Sequence, residues 1–168
     1  IAIKFNNQFG DVFTIPEPSI REAVAVVPGI DGQKMSKSYN NHIELFGDEE
    51  DARKRVMRVV TDSKQLDDPK DPDTCNVFAL YRLFASDADR EAVASRYREG
   101  GYGYGDAKKA LYEAMQDYLS PFRKKREELE KDAGYVEGVL SEGARRARAE
   151  ARRTLDAARA AVGVDSPG

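Results

Sequence analysis

The sequence predicts a mainly α chain in two parts: residues 1–47, strand and loop, and an antiparallel helical bundle over residues 48–168. Three observations predict this. Prolines and glycines cluster early, at Gly10, Pro16, Pro18, Pro28, Gly29, Gly32 and Gly47, around short β-rich runs. From Asp48 onward the apolar residues recur at helical spacing instead. The closing stretch carries one apolar seam through Val136, Leu140, Ala144, Ala147, Ala151, Leu155, Ala158 and Val162, up to a stop at Gly163.

Taken in order, residues 12–15 (Val-Phe-Thr-Ile) and 23–27 (Ala-Val-Ala-Val-Val) read as strands. The second is continuously apolar, as in a strand covered on both faces of a parallel sheet, and a Gly-rich loop follows it. Such a sheet needs more strands than this sequence supplies. Acidic residues Asp48, Glu49, Glu50 and Asp51 then open a helix where its dipole favours negative charge, with Ala52, Val56, Val59 and Val60 as its apolar stripe. Residues 62–74, acidic and interrupted by Pro69 and Pro72, read as an exposed loop. They lack the Gly and Glu positions of a calcium-binding hand.

Val77, Leu80, Tyr81 and Phe84 mark the next helix, and Ser86 with Asp89 forms a capping-box pattern for another, ending at Gly100 and Gly101. The glycines and tyrosines of residues 101–105 read as a turn between helices, not a dinucleotide fingerprint, because no strand precedes them. Asp106 is the expected cap of a helix bearing Ala107, Leu111, Ala114, Met115 and Tyr118. Ser120-Pro121 is the expected start of the one after it.

Composition excludes several classes of function. The 168 residues are 40% hydrophobic and 34% charged, and no run approaches the length of a membrane span. The expected location is the cytoplasm, with no membrane partner. One cysteine, Cys75, and one histidine, His42, supply neither a disulfide nor a four-ligand zinc site. A net charge of −3 gives no overall attraction to nucleic acid, so any polyanion site has to be local. The opening at Ile1, inside an apolar run and without an initiator Met, reads as a fragment.

Unusual chemistry concentrates in residues 29–41, Gly-Ile-Asp-Gly-Gln-Lys-Met-Ser-Lys-Ser-Tyr-Asn-Asn. Lys34 and Lys37 offer two mobile point charges, Ser36 and Ser38 add hydroxyl donors, and Met35 offers a flexible apolar contact. Such a set suits a polyphosphate, because phosphoryl and nucleotidyl transfer build negative charge on the leaving oxygens. A P-loop does not fit, since Gly29 and Gly32 stand too close together and Gln33 separates glycine from lysine. His42 reads as structural. Arg145, Arg148, Arg152 and Arg159 share one side of the last helix, but Glu142, Glu150 and Asp156 beside them favour a salt-bridged surface over a nucleic-acid stripe. The basic residues Lys108, Lys109, Arg123, Lys124, Lys125 and Arg126 read the same way.

The string Lys34-Met35-Ser36-Lys37-Ser38 resembles the signature loop of class I aminoacyl-tRNA synthetases. Residues 34–46 resemble its tryptophanyl-tRNA synthetase form. Residues 9–17, 60–63, 101–109 and 142–148 resemble further segments of that family, so the likeness covers nearly the whole chain. It implies that residues 1–47 are the C-terminal remnant of a Rossmann-type α/β catalytic domain and residues 48–168 a helical, anticodon-binding domain.

The resemblance also implies a reaction: tryptophan is activated with ATP, with Mg2+ expected, and then transferred to tRNA(Trp). In it Lys37 follows the departing pyrophosphate, Lys34 assists, and Ser36 and Ser38 bond phosphates or hold the loop. Met35 lies beside the adenine, and the backbone near Val26 contacts the nucleotide. A homodimer is implied for the full-length protein. The family's His-x-Gly-His signature is missing, since His42 is the one histidine, and so is the tryptophan pocket; the expected behaviour of this chain alone is inactivity. The competing reading is a non-catalytic helical module, derived from a synthetase, that binds RNA or a protein. A tyrosine-specific relative fits less well.

Overall fold

The computed structural model describes residues 1–21 and 24–164. It is mainly helical, with six α-helices among the described residues: α1 (Ala2–Phe9), α2 (Glu49–Met57), α3 (Asn76–Tyr81), α4 (Asp87–Glu99), α5 (Tyr104–Glu130) and α6 (Ala133–Ala161). The chain falls into two compact units, Arg21–Arg126 and a second made of Ile1–Ile20 with the chain from Glu127 onward. No described helix is long and apolar enough to cross a membrane.

Helix starts follow their local signals. Asp48 caps α2 by accepting from the Asp51 N–H at 2.9 Å, and Ser86 caps α4 by accepting from the Asp89 N–H at 3.2 Å. Gly100 and Gly101 leave α4 with φ of 82° and 73°, values that a side chain would disfavour. Within Arg21–Arg126 the core joins Ala52 and Val56 of α2 to Val77, Phe78, Leu80 and Tyr81 of α3. It continues through Ala94 and Tyr97 of α4 to Ala107, Leu111, Met115 and Leu119 of α5. The four-residue steps along α2 and α5 place these side chains on one stripe, which is why they meet. Tyr97 packs edge-on against Tyr102 and Tyr104, so the glycine-tyrosine turn contributes rings to the core.

Several expectations are corrected. Neither residues 12–15 nor the described part of 23–27 forms a strand; Ala23 lies outside the described residues. Among the region's described residues the one β-contact is an isolated antiparallel bridge between Pro28 and Lys34. An apolar run becomes a strand when a neighbouring strand takes its N–H and C=O groups, and no such neighbour is present among the described residues. Residues 2–9 are helical, not strand or loop.

Asp106 lies in the first turn of α5 instead of capping it, because the helix already starts at Tyr104. Ser120-Pro121 starts nothing: α5 continues through Pro121. The apolar stripe of Leu111, Met115 and Leu119 holds the helix together up to that point, which outweighs the one hydrogen bond a proline removes.

In the other unit, Phe5 of α1 packs against Phe9 with the rings tilted at 47° and meets Phe13 edge-on, while Asn6 grips the Phe13 backbone through both N–H and C=O. Asp132 caps α6 through the Tyr135 N–H at 2.9 Å. The expected seam of α6 is not buried. The helix contains no buried residue, and Leu140 keeps 66% of its surface exposed.

Candidate active site

The loop that carries Lys34 and Lys37 is held by its own polar groups. Gly29 N–H donates to the Gln33 carbonyl at 2.7 Å, and Met35 N–H to the Val27 carbonyl at 2.8 Å, which closes a narrow turn. Lys37–Tyr39 then form one turn of 3-10 helix, capped by Ser36, whose Oγ accepts from the Ser38 N–H at 3.2 Å. Asn40 ends the turn in the left-handed region at φ 51°, which asparagine tolerates better than most residues.

Asn41 is the centre of the arrangement and is 2% exposed. Its Oδ1 accepts from the Ser36 N–H at 2.7 Å, and its Nδ2 donates to Asp31 Oδ1 at 2.8 Å and to the Lys34 carbonyl at 3.1 Å. One side chain therefore ties together the start, middle and end of the loop. The backbone around Ile30 is anchored as well: its N–H donates to the Asn41 carbonyl, and its carbonyl accepts from the Val60 N–H beyond α2, each at 2.8 Å. Arg55 of α2 adds bonds to Asn40 and His42.

The five residues 34–38 are thus brought together on one short, internally bonded turn. The side chains of Lys34 and Lys37 are exposed, and neither ammonium is tied to a carboxylate or carbonyl among the described residues. Met35 is half-buried against the core and lines an apolar cavity of about 500 Å³ with Val27, Ile43, Leu80 and Leu111. A second cavity, of about 700 Å³, opens beside Ser36 and Lys37 and is walled by His42, Glu44, Phe46 and Arg126. Val26 is 60% exposed on the segment before the turn, adjacent to the carbonyl that Met35 uses. Chemically, the turn carries two ammonium groups and the side-chain hydroxyls of Ser36 and Ser38, a set suited to a polyanion.

The other basic residues are engaged differently. Lys108 donates to the Met57 carbonyl at 3.1 Å, and partial burial lowers its pKa. Arg123 donates to the Leu45 carbonyl and pairs with Glu49 at 2.9 Å. On α6, Arg145 meets Glu142 at 2.7 Å and Arg152 meets Asp156 at 3.7 Å, the salt-bridged surface expected there. His42 Nε2 lies 3.5 Å from Glu44 Oε1.

Asn41, Asp31 and Arg55 are the residues that reading along the chain misses. Asp31 and Asn41 carried a weak signal, since both types favour turns. Nothing near Arg55 in sequence pointed fifteen residues back.

Residues 1–120 match the profile of the class I tRNA synthetases (W and Y), and the chain belongs to that family. Within it, the chain resembles tryptophan-tRNA ligases. It is 49% identical to the one from Rhodopirellula baltica, over 98% of this chain and 51% of that protein. To the one from Fusobacterium nucleatum it is 44% identical, over 98% of this chain and 50% of that protein. A crystal structure of tryptophanyl-tRNA synthetase from Campylobacter jejuni, complexed with ADP and tryptophan, superposes with TM-score 0.76 at 39% identity. That match covers 97% of this chain and 51% of the other. The chain spans about half the length of the curated relatives it matches.

Proposed function

We propose that this chain is the C-terminal part of a tryptophan-tRNA ligase and supplies its ATP-binding loop and helical tRNA-binding region. The observation that carries the reading is the exposed pair Lys34 and Lys37, without an ion-pair partner among the described residues, on a turn whose backbone Asn41 fixes. In this reading residues 1–47 end a Rossmann-type catalytic domain and residues 48–168 form the anticodon-binding domain. The partners are ATP, tryptophan and tRNA(Trp); the complete protein is a cytoplasmic homodimer.

In the first step a tryptophan carboxylate oxygen attacks the α-phosphorus of ATP, forming the new P–O bond of the adenylate. The bond from that phosphorus to the bridging oxygen breaks, and its electron pair leaves with pyrophosphate. Negative charge grows on the departing group, and Lys37, with Lys34 assisting, stabilises it there. Ser36 and Ser38 hold the turn and donate to phosphate oxygens, Met35 contacts the adenine, and the backbone near Val26 contacts the nucleotide. The second step passes the aminoacyl group to a tRNA hydroxyl and releases AMP.

Mg2+ belongs to this reading as a companion of the triphosphate. Among the described residues no group of three or more His, Cys, Asp or Glu side chains gathers to hold a metal ion. The chain's contribution is ammonium and hydroxyl contacts to phosphate.

The test is tryptophan-dependent ATP-pyrophosphate exchange by the complete ligase. Lys37→Ala is expected to lower the rate by about 10²- to 10³-fold while tryptophan affinity holds, as for the loss of one preorganised transition-state donor. A variant as fast as the parent removes the reading. The 168-residue chain alone is expected to show no exchange, since it lacks the His-x-Gly-His segment of the family; measurable exchange would overturn that part.

A further inference from the structure

One side chain of α2 reaches across to the loop. Arg55 donates through one terminal nitrogen to the Asn40 carbonyl at 3.1 Å and the His42 carbonyl at 3.2 Å. The other terminal nitrogen donates to Asn40 Oδ1 at 2.9 Å. A carboxylate stands one turn back on the same helix, at Asp51, in the relation that Lys54 uses to pair with Glu50 at 2.9 Å. Arg55 makes no such pair among the described residues. Its fork closes on Asn40 instead.

Asn40 is the point where this grip has most effect. Among the described residues it is the one non-glycine with positive φ. Its left-handed turn ends the 3-10 helix of Lys37–Tyr39 and sends the chain back, so that Asn41 reaches inward to the Ser36 N–H. Asparagine tolerates that conformation better than most residues, and the bonds from Arg55 to its backbone and side chain fix it there. Two points of contact on one residue, backbone and side chain, constrain both its position and its rotation. A planar guanidinium does this with two nitrogens held in a rigid fork, whereas an ammonium donates from one freely rotating centre.

We propose that Arg55 is a positioning residue for adenylation: through Asn40 it keeps the 3-10 turn formed, and so keeps Lys37 and Ser38 presented to the triphosphate. The proposal rests on the ligase reading above for its chemical consequence. Its structural half, a turn held by Arg55, stands on the distances alone.

The test has two arms. In the 168-residue chain, amide exchange by NMR reads the turn directly at Tyr39 and Asn40, whose N–H groups donate to the carbonyls of Ser36 and Lys37. Arg55→Ala is expected to speed exchange there about tenfold, with Arg55→Lys in between, as for a local opening made easier. The amide of Ala52 on α2 should not change, nor should the turn in Arg53→Ala. Should Arg55→Ala not fold, Arg55→Lys alone decides this arm, because it keeps the charge and the aliphatic stem but loses the fork.

In the complete ligase, Arg55→Ala is expected to lower kcat for pyrophosphate exchange about tenfold at unchanged KM for tryptophan, with partial rescue in Arg55→Lys. Unchanged exchange at Tyr39 and Asn40 overturns the proposal. A loosened turn with normal kcat overturns the positioning role while the ligase reading survives. Normal activity in Lys37→Ala sinks the ligase reading, and the amide arm still reports on Arg55 independently.

Discussion

The side chain of Asn41 occupies the space that a Cβ on Gly29 would need: its Nδ2 and Cγ lie 2.5 Å from that position. Gly29 is therefore required by close approach. Gly29→Ala is expected to push Asn41 out of its site and release its bonds to Ser36 and Lys34. Asn41→Ala, which leaves the same donors and acceptors without partners, is expected to cost about 2 kcal/mol. Urea denaturation compares the two; equal stability in both variants and the parent would show that Asn41 does not hold the turn.

Lys70 is a buried cation inside a loop that sequence marked as exposed. It is 3% exposed, and its Nζ donates to the carbonyls of Gln65, Leu66 and Asp68 at 2.8, 3.0 and 3.0 Å. The Tyr104 ring lies 5.4 Å from the same ammonium. Lys70→Met keeps the stem but leaves three carbonyls without their donor, and is expected to destabilise the chain by about 2 kcal/mol. A shift in the urea midpoint checks this, and backbone exchange over residues 65–70 should rise with it.

The tyrosine cluster predicts a weak point on the alkaline side. Burial raises the pKa of Tyr97, Tyr102 and Tyr81 above the ordinary 10.0, and burial together with donation to Asp62 raises that of Tyr104. Above pH 10.0 the unfolded chain loses these protons while the folded chain keeps them. Stability is thus fully present below that pH and falls as pH rises from it toward the folded values. Urea midpoints measured across this range should drop steeply in the parent and less steeply in Tyr97→Phe.

Pro121 is a site of expected gain. It sits inside α5, where proline removes a backbone hydrogen bond and crowds the carbonyl four residues earlier. Pro121→Ala is expected to raise stability by about 1 to 3 kcal/mol, the range between partial and full relief of that penalty. Thermal unfolding followed by circular dichroism measures it; a lower midpoint would mean that the helix bends at Pro121 to reach its contacts.

The division between what reading along the chain showed and what it missed runs along sequence distance. The acidic start of α2 at Asp48, the cap at Ser86, the stop at Gly100, the buried stripe of Ala107, Leu111 and Met115, and the residues 34–38 as a unit were all legible. Each depends on neighbours within a few positions. Tyr118, by contrast, expected on the same stripe, is 50% exposed, and Leu119 takes the buried place. The five-residue string also carried the family, because its identity survives without any knowledge of contacts.

Tertiary structure decided the rest. Residues 12–15 have strand composition but no partner strand, so they remain irregular, and Ser120-Pro121 has a start signature overridden by a helix already packed on the core. Asn41 and Arg55 hold the loop by reaching ten and fifteen residues away, to Asp31 and Asn40, and Lys70 is buried because a ring of carbonyls folds around it. Hydrogen bonds of polar side chains leave no periodic trace in a sequence, since geometry in space, not spacing along the chain, selects their partners.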